Sequence, residues 1–100
     1  MQAIVAREFG GPEVLKLEEV PQPLAGSGQV RVKVHAIGVN PYDTYMRSGA
    51  YAIKPQLPYT PGADAAGVID QVGSSVTGLR IHQRVYVRGT AQGKAHGAYA

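Results

Sequence analysis

Between positions 30 and 36 every second side chain is apolar: Val30, Val32, Val34 and Ala36, with Arg31, Lys33 and His35 between them. A period of two marks a strand with one face buried and the other wet. A helix would repeat its apolar residues at three and four, so this segment commits the chain to a sheet. Glycine and proline punctuate the remainder, 13 and 7 of them in 100 residues. Only short elements fit between such breaks. A chain this size forms one domain and buries about 60–68% of its unfolded surface, too little to enclose a large cofactor unaided.

Gln2 to Arg7 and Val14 to Val20 read as two further strands around a turn at Phe9-Gly10-Gly11-Pro12, which predicts an opening hairpin. Pro21 to Gly28 is a loop, because proline lacks a ladder donor. Ala65 to Val72 reads as a strand whose Gly67 signals a bulge or a close backbone approach. Gly73-Ser74-Ser75 makes a turn, Arg84 to Val87 a last strand and Gly89 to Gly97 a mobile connection. Short strands, Gly and Pro turns and one short helix predict a mainly β fold, a small, partly open β-barrel.

The absence of cysteine removes disulfides and thiolate metal sites. His35, His82 and His96 stand far apart at no metal-ligand spacing, so no metal is expected. The start carries no secretory pattern, and no apolar run approaches the roughly 18 residues of a membrane span. These features predict a cytoplasmic protein without a membrane partner. The net charge of +3 comes from basic residues scattered singly, which does not suit a nucleic-acid partner.

Asn40-Pro41 is a helix start: asparagine caps, proline is preorganised at the first position, and Asp43 favours the positive end of the dipole. With Gly49 as the stop, the helix runs from Pro41 to Ser48. The following Ala50 to Gly62 reads as an ordered loop anchored by Ile53, Leu57 and Tyr59. Asn40, Asp43, Tyr45, Tyr51 and Tyr59 gather an amide, a carboxylate and three phenols along this stretch, in the helix starts and loops where sites collect. Each also has an ordinary reading, as cap, first-turn anion or aromatic filler. Asp64, the one charge in Thr60 to Gly67, reads equally well as a turn-capping carboxylate. No phosphate-binding glycine motif occurs.

Three strings in order, EFGGPEVLKLEEVP, VKVHAIGVNPYDTYMRSGAY and LPYTPGADAAGVIDQVG, resemble the N-terminal domain of zeta-crystallin-like quinone oxidoreductases, in the medium-chain dehydrogenase/reductase superfamily. The resemblance covers essentially the whole chain. It implies a GroES-like barrel that precedes a dinucleotide-binding domain, and transfer of a hydride from NADPH to a quinone or an enal. Zinc-dependent relatives carry a cysteine just after the strand ending at Ala36-Ile37-Gly38 and Gly-His-Glu at Gly62-Ala63-Asp64; neither ligand stands here, which implies the zinc-free branch. By the same resemblance Asn40 and Tyr45 contact the cofactor, Tyr51 and Tyr59 line the substrate cleft, and Asp43 and Arg47 are structural, with Arg47 able to pair with Asp43. No catalytic residue is singled out.

Where family members carry Gly-Asp before Arg-Val, this chain has His82-Gln83, which predicts an altered turn. The glycine-rich cofactor domain lies outside these 100 residues, so on their own they are expected to be inactive, to bind NADPH weakly and to self-associate through exposed surface. The rival reading is a non-catalytic GroES-like binding module with Ala50 to Tyr59 as its partner loop.

Overall fold

The computed structural model describes residues 1–89, 97, 99 and 100. The element order is β1 (Gln2–Ala6), a one-turn 3-10 helix (Pro12–Val14), β2 (Leu15–Glu19), β3 (Val30–Ile37), α1 (Pro41–Ser48), β4 (Asp64–Val72) and β5 (Arg84–Arg88). Two antiparallel sheets result, β1-β2 and β3-β4-β5. The fold is mainly β with open sheets, as the pattern predicts. The Gly89 to Gly97 connection lies largely outside the described residues.

The opening hairpin forms, with Gln2 opposite Glu19 and Ala6 opposite Leu15. Its second strand starts one residue later than the pattern suggests. Pro12 opens the 3-10 turn, the Val14 N–H donates to the Gly11 carbonyl at 3.2 Å, and Val14 is buried from that turn rather than from the strand. Proline already holds the φ that such a turn needs. The core is small: Ala3, Val5, Ala6, Val14, Val32, Ala65 and a completely buried Ile69.

The β3–β4 pairing slips twice. Val34 pairs with Gly67 and Ala36 with Ala66, so His35 is the extra residue of a bulge. A bulge turns the following side chains over, which is why Ala36 is exposed although the strict alternation assigns it to the buried face; Ile37, at the end of the strand, is exposed as well. On the other strand Arg31 pairs with Gln71 and Val32 with Ile69, which leaves Asp70 outside the ladder. Its carboxylate is free to take the Arg31 guanidinium two-pronged, Nε to Oδ1 at 2.9 Å and Nη2 to Oδ2 at 3.1 Å. That hydrogen-bonded pairing raises the Arg31 pKa, and the guanidinium also stacks 5.2 Å from the Tyr99 ring centroid. Gly67 does mark a close approach: any Cβ there would collide with the Lys33 carbonyl.

The turn before β5 places the sequence departure at a backbone position that costs a side chain. His82 takes φ +74°, the left-handed conformation that a glycine adopts without cost. Its N–H donates to Ile69 O at 2.8 Å, and the Arg80 N–H donates to the Gln83 side-chain oxygen at 3.2 Å. Histidine accepts the strained backbone, and the turn is bonded back to β4.

Candidate functional site

Helix α1 has the bounds predicted from its caps. Asn40 precedes it with extended φ −120° and ψ 153°. Its backbone N–H donates to Asp43 Oδ2 at 2.8 Å, while the Asp43 N–H donates to Asn40 O at 3.0 Å. Gly49 ends the helix at φ +79°, its N–H donating to Met46 O at 3.1 Å. A helix this short is marginal in water, and α1 has no fully buried residue. Polar ties to the Phe9-Gly10 corner fix it instead. The Gly10 N–H donates to Arg47 O at 3.0 Å, Arg47 Nε donates to Gly10 O at 3.2 Å, and Gly49 lies against the Phe9 ring.

Arg47 therefore does not pair with Asp43. The Asp43 carboxylate is committed to the Asn40 N–H and the Arg47 guanidinium to a carbonyl from the opening turn. Among the described residues the ion pairs are the N-terminal ammonium with Glu19, Arg7 with Glu18, and Arg31 with Asp70.

The Asn40 side chain reaches a residue whose role the sequence left open. Its Nδ2 donates to Asp64 Oδ1 at 3.3 Å, and the Gly38 N–H donates to the Asp64 backbone oxygen at 3.0 Å. The Asp64 carboxylate fills the space where Gly38 has no side chain, and a Cβ there would land on it. Asp64 thus ties the end of β3, the start of α1 and the start of β4 together.

Tyr45 is 55% exposed on α1. Tyr51 stands edge-on to Tyr42, with ring centroids 5.1 Å apart at 88°, a favourable aromatic geometry. Tyr42 was not among the sequence candidates, although its place one turn before Tyr45 was a signal. Tyr59 bridges to β1: Ala6 N–H donates to Tyr59 O at 2.8 Å and the Tyr59 N–H to Ala6 O at 3.0 Å. Its hydroxyl is buried and has no hydrogen-bond partner among the described residues. Burial pushes its pKa up, the nearby Arg47 opposes that, and Asp43 and Tyr42 reinforce it. Ile53, expected as a loop anchor, is 70% exposed; half-buried Leu57 and Tyr59 hold the loop instead.

Among the described residues, none of the six candidates lines either of two surface grooves. A groove of about 400 Å³ runs between β1-β2 and β3 past Ile4, Leu17 and Ile37, and another of about 440 Å³ lies under the 78–83 turn. The site is an open wall: the Asn40 amide held at its base, the exposed Tyr45, the braced Tyr51 and the sealed Tyr59 hydroxyl. Among the described residues no three of His, Asp and Glu come together.

A mainly β chain of open antiparallel sheets with its polar wall at the start of one short helix defines a class. Residues 26–99 match the alcohol dehydrogenase GroES-like domain, and the chain belongs to that family. Within it, the chain is similar to quinone oxidoreductases: 55% identical over 94 residues to that of Mus musculus, covering 93% of this chain and 28% of that protein. It is 51% identical over 94 residues to that of Homo sapiens, covering 93% of this chain and 29% of the relative. The solved quinone oxidoreductase of Coxiella burnetii shares the fold with a TM-score of 0.90 at 32% identity, over 99% of this chain and 33% of that one. Escherichia coli quinone oxidoreductase complexed with NADPH gives 0.84 at 36% identity, over 90% of this chain and 28% of that one. The chain spans under a third of the length of the mouse relative.

Proposed function

We propose that these residues form the GroES-like catalytic domain of a zinc-independent NADPH:quinone oxidoreductase, paired in the working protein with a dinucleotide-binding domain. The observation that carries this reading is the fold shared with an NADPH-complexed quinone oxidoreductase at 36% identity. The whole Gly38 to Tyr59 wall also falls inside the matched family segment, 26–99.

The wall fits a nicotinamide. An amide fixed at a helix start and an exposed phenol one turn on offer polar and planar contacts to a flat, carboxamide-bearing ring. A bound NADPH would supply the hydride, which a quinone or enal accepts. Asn40 and Tyr45 hold the cofactor side. Tyr51, braced by Tyr42, presents its phenol to the substrate, and Tyr59 backs that wall with its hydroxyl sealed inside it. A phenol suits that place because its hydroxyl donates to a carbonyl oxygen acquiring charge. Zinc independence rests on the absence of cysteine and on Asp64 being engaged with Asn40 and Gly38.

Hydride transfer needs both reactants held at near-attack distance, which two domains achieve together. These 100 residues alone are therefore proposed to turn nothing over and to bind NADPH too weakly to saturate at about millimolar concentration, weaker than roughly −4 kcal/mol. The test is a graft of this chain in place of the matching segment of Escherichia coli quinone oxidoreductase. Quinone-dependent NADPH oxidation by the chimera, falling at least about tenfold on Asn40→Ala or Tyr45→Phe, supports the reading. A well-folded but inactive chimera, or one indifferent to both changes, refutes it. The binding-module alternative is disfavoured because the 50–59 loop is tied down at Tyr51 and Tyr59.

A further inference from the structure

We infer that Asp64 is a positioning residue that sets the polarity of the Asn40 amide, so that the wall presents a carbonyl acceptor and selects a ligand bearing a carboxamide N–H₂. The ligand half of this inference rests on the cofactor reading above; the polarity half rests on the chain alone. An ionised carboxylate only accepts hydrogen bonds. With Asp64 Oδ1 at 3.3 Å, the Asn40 group facing it is its nitrogen. The inverted amide would set two oxygens against each other beside a negative charge.

The seat of that carboxylate is built in. Gly38 leaves it room, and the Gly38 N–H fixes the Asp64 backbone at 3.0 Å. The Asn40 backbone is held from the other side by Asp43 at 2.8 Å. With backbone and amide nitrogen both engaged, the side-chain oxygen is turned to the Asp43 N–H as part of the capping box, and its second lone pair is the acceptor that a ligand can meet. An acceptor in that place welcomes a primary carboxamide and gains nothing from an acetyl group, whose oxygen is itself an acceptor. It also separates the roles along the wall: Asn40 reads the cofactor amide and does not polarise a quinone carbonyl, which needs a donor such as a phenol.

The experiment is nitrogen-edited NMR of this chain with the Asn40 side-chain N–H₂ assigned. Wild type is compared with the near-isosteric Asp64→Leu, which has no side-chain acceptor, and with Gly38→Ala, whose methyl displaces the carboxylate from a second direction. Two probes, reduced nicotinamide mononucleotide and its 3-acetylpyridine analogue, are titrated at millimolar concentration into the Escherichia coli chimera carrying the same substitutions, whose second domain completes the site. The expected result is a wild-type Asn40 N–H₂ signal shifted by its bond to Asp64 and collapsing toward the free-amide position in both variants. The carboxamide probe should move the Asn40 signals about fivefold or more steeply than the acetyl probe in wild type, and the two should become nearly equal in Asp64→Leu. An Asn40 amide indifferent to both substitutions, or a probe preference that persists in Asp64→Leu, overturns the inference. If the amide answers to Asp64 but neither probe moves Asn40 or Tyr45, the cofactor reading has failed and the ligand half falls with it.

Discussion

Replacing Tyr59 by phenylalanine should make this protein more stable. The Tyr59 hydroxyl is buried with no partner among the described residues, and a buried polar group that forgoes its hydrogen bond costs about 1–3 kcal/mol. Phenylalanine keeps the ring and the Tyr59–Ala6 backbone bonds at 2.8 and 3.0 Å, so only the penalty is removed. A gain of about 1 kcal/mol is expected, which raises the melting temperature of a domain this size by about 4–8 °C. Urea unfolding of the two proteins measures it. The alkaline limb gives an independent check. Burial holds the folded Tyr59 pKa above its ordinary 10.0, so the unfolded chain releases this proton first. Below pH 10 the phenol is neutral in both states. As pH rises from there through the folded value, stability drains away, and Tyr59→Phe should remove that part of the loss. A destabilisation of about 1 kcal/mol instead would mean that the hydroxyl is hydrogen-bonded in the folded chain, and the reasoning would fail.

Three further outcomes follow from the same structure. His82→Gly should stabilise by up to about 1 kcal/mol, since glycine relieves the left-handed strain at φ +74° while adding unfolded-state entropy; a loss on thermal melting would show the turn to be unstrained. Asp70→Ala should cost about 2 kcal/mol in urea, because Arg31, only 14% exposed, loses its two-pronged partner; an unchanged midpoint would rule out a stabilising pair. Ile4, Leu17 and Ile37 are 41%, 65% and 42% exposed along one groove, a surface expected to drive association at high concentration. Sedimentation should show a weight-average mass that rises with concentration and does so less for Leu17→Lys, and a monomer throughout would refute this.

What the sequence made legible divides along contact range. The bounds of α1 follow from Asn40, Pro41, Asp43 and Gly49, all local, and the structure returns them unchanged. The hairpin and the close approach at Gly67 were equally readable, since each needs a residue type rather than a distant partner. The two register slips were not. No local pattern says that His35 or Asp70 will stand outside the ladder, because a slip is a property of two strands at once. The same limit governs the site. Asp43 and Arg47, one turn apart, are spaced for an ion pair, yet each finds a better-placed backbone group, the Asn40 N–H or the Gly10 carbonyl. Asp64 lies 24 positions from Asn40, and only the β3–β4 pairing brings them together. The candidate residues were visible as a cluster along the chain, whereas their partners belong to the sheet. A wall assembled in this way depends on β3–β4 register as much as on its own side chains, so a substitution that shifts that register without touching α1, such as Gly67→Ala against the Lys33 carbonyl, should disturb the Asn40 amide as surely as one at Asp64.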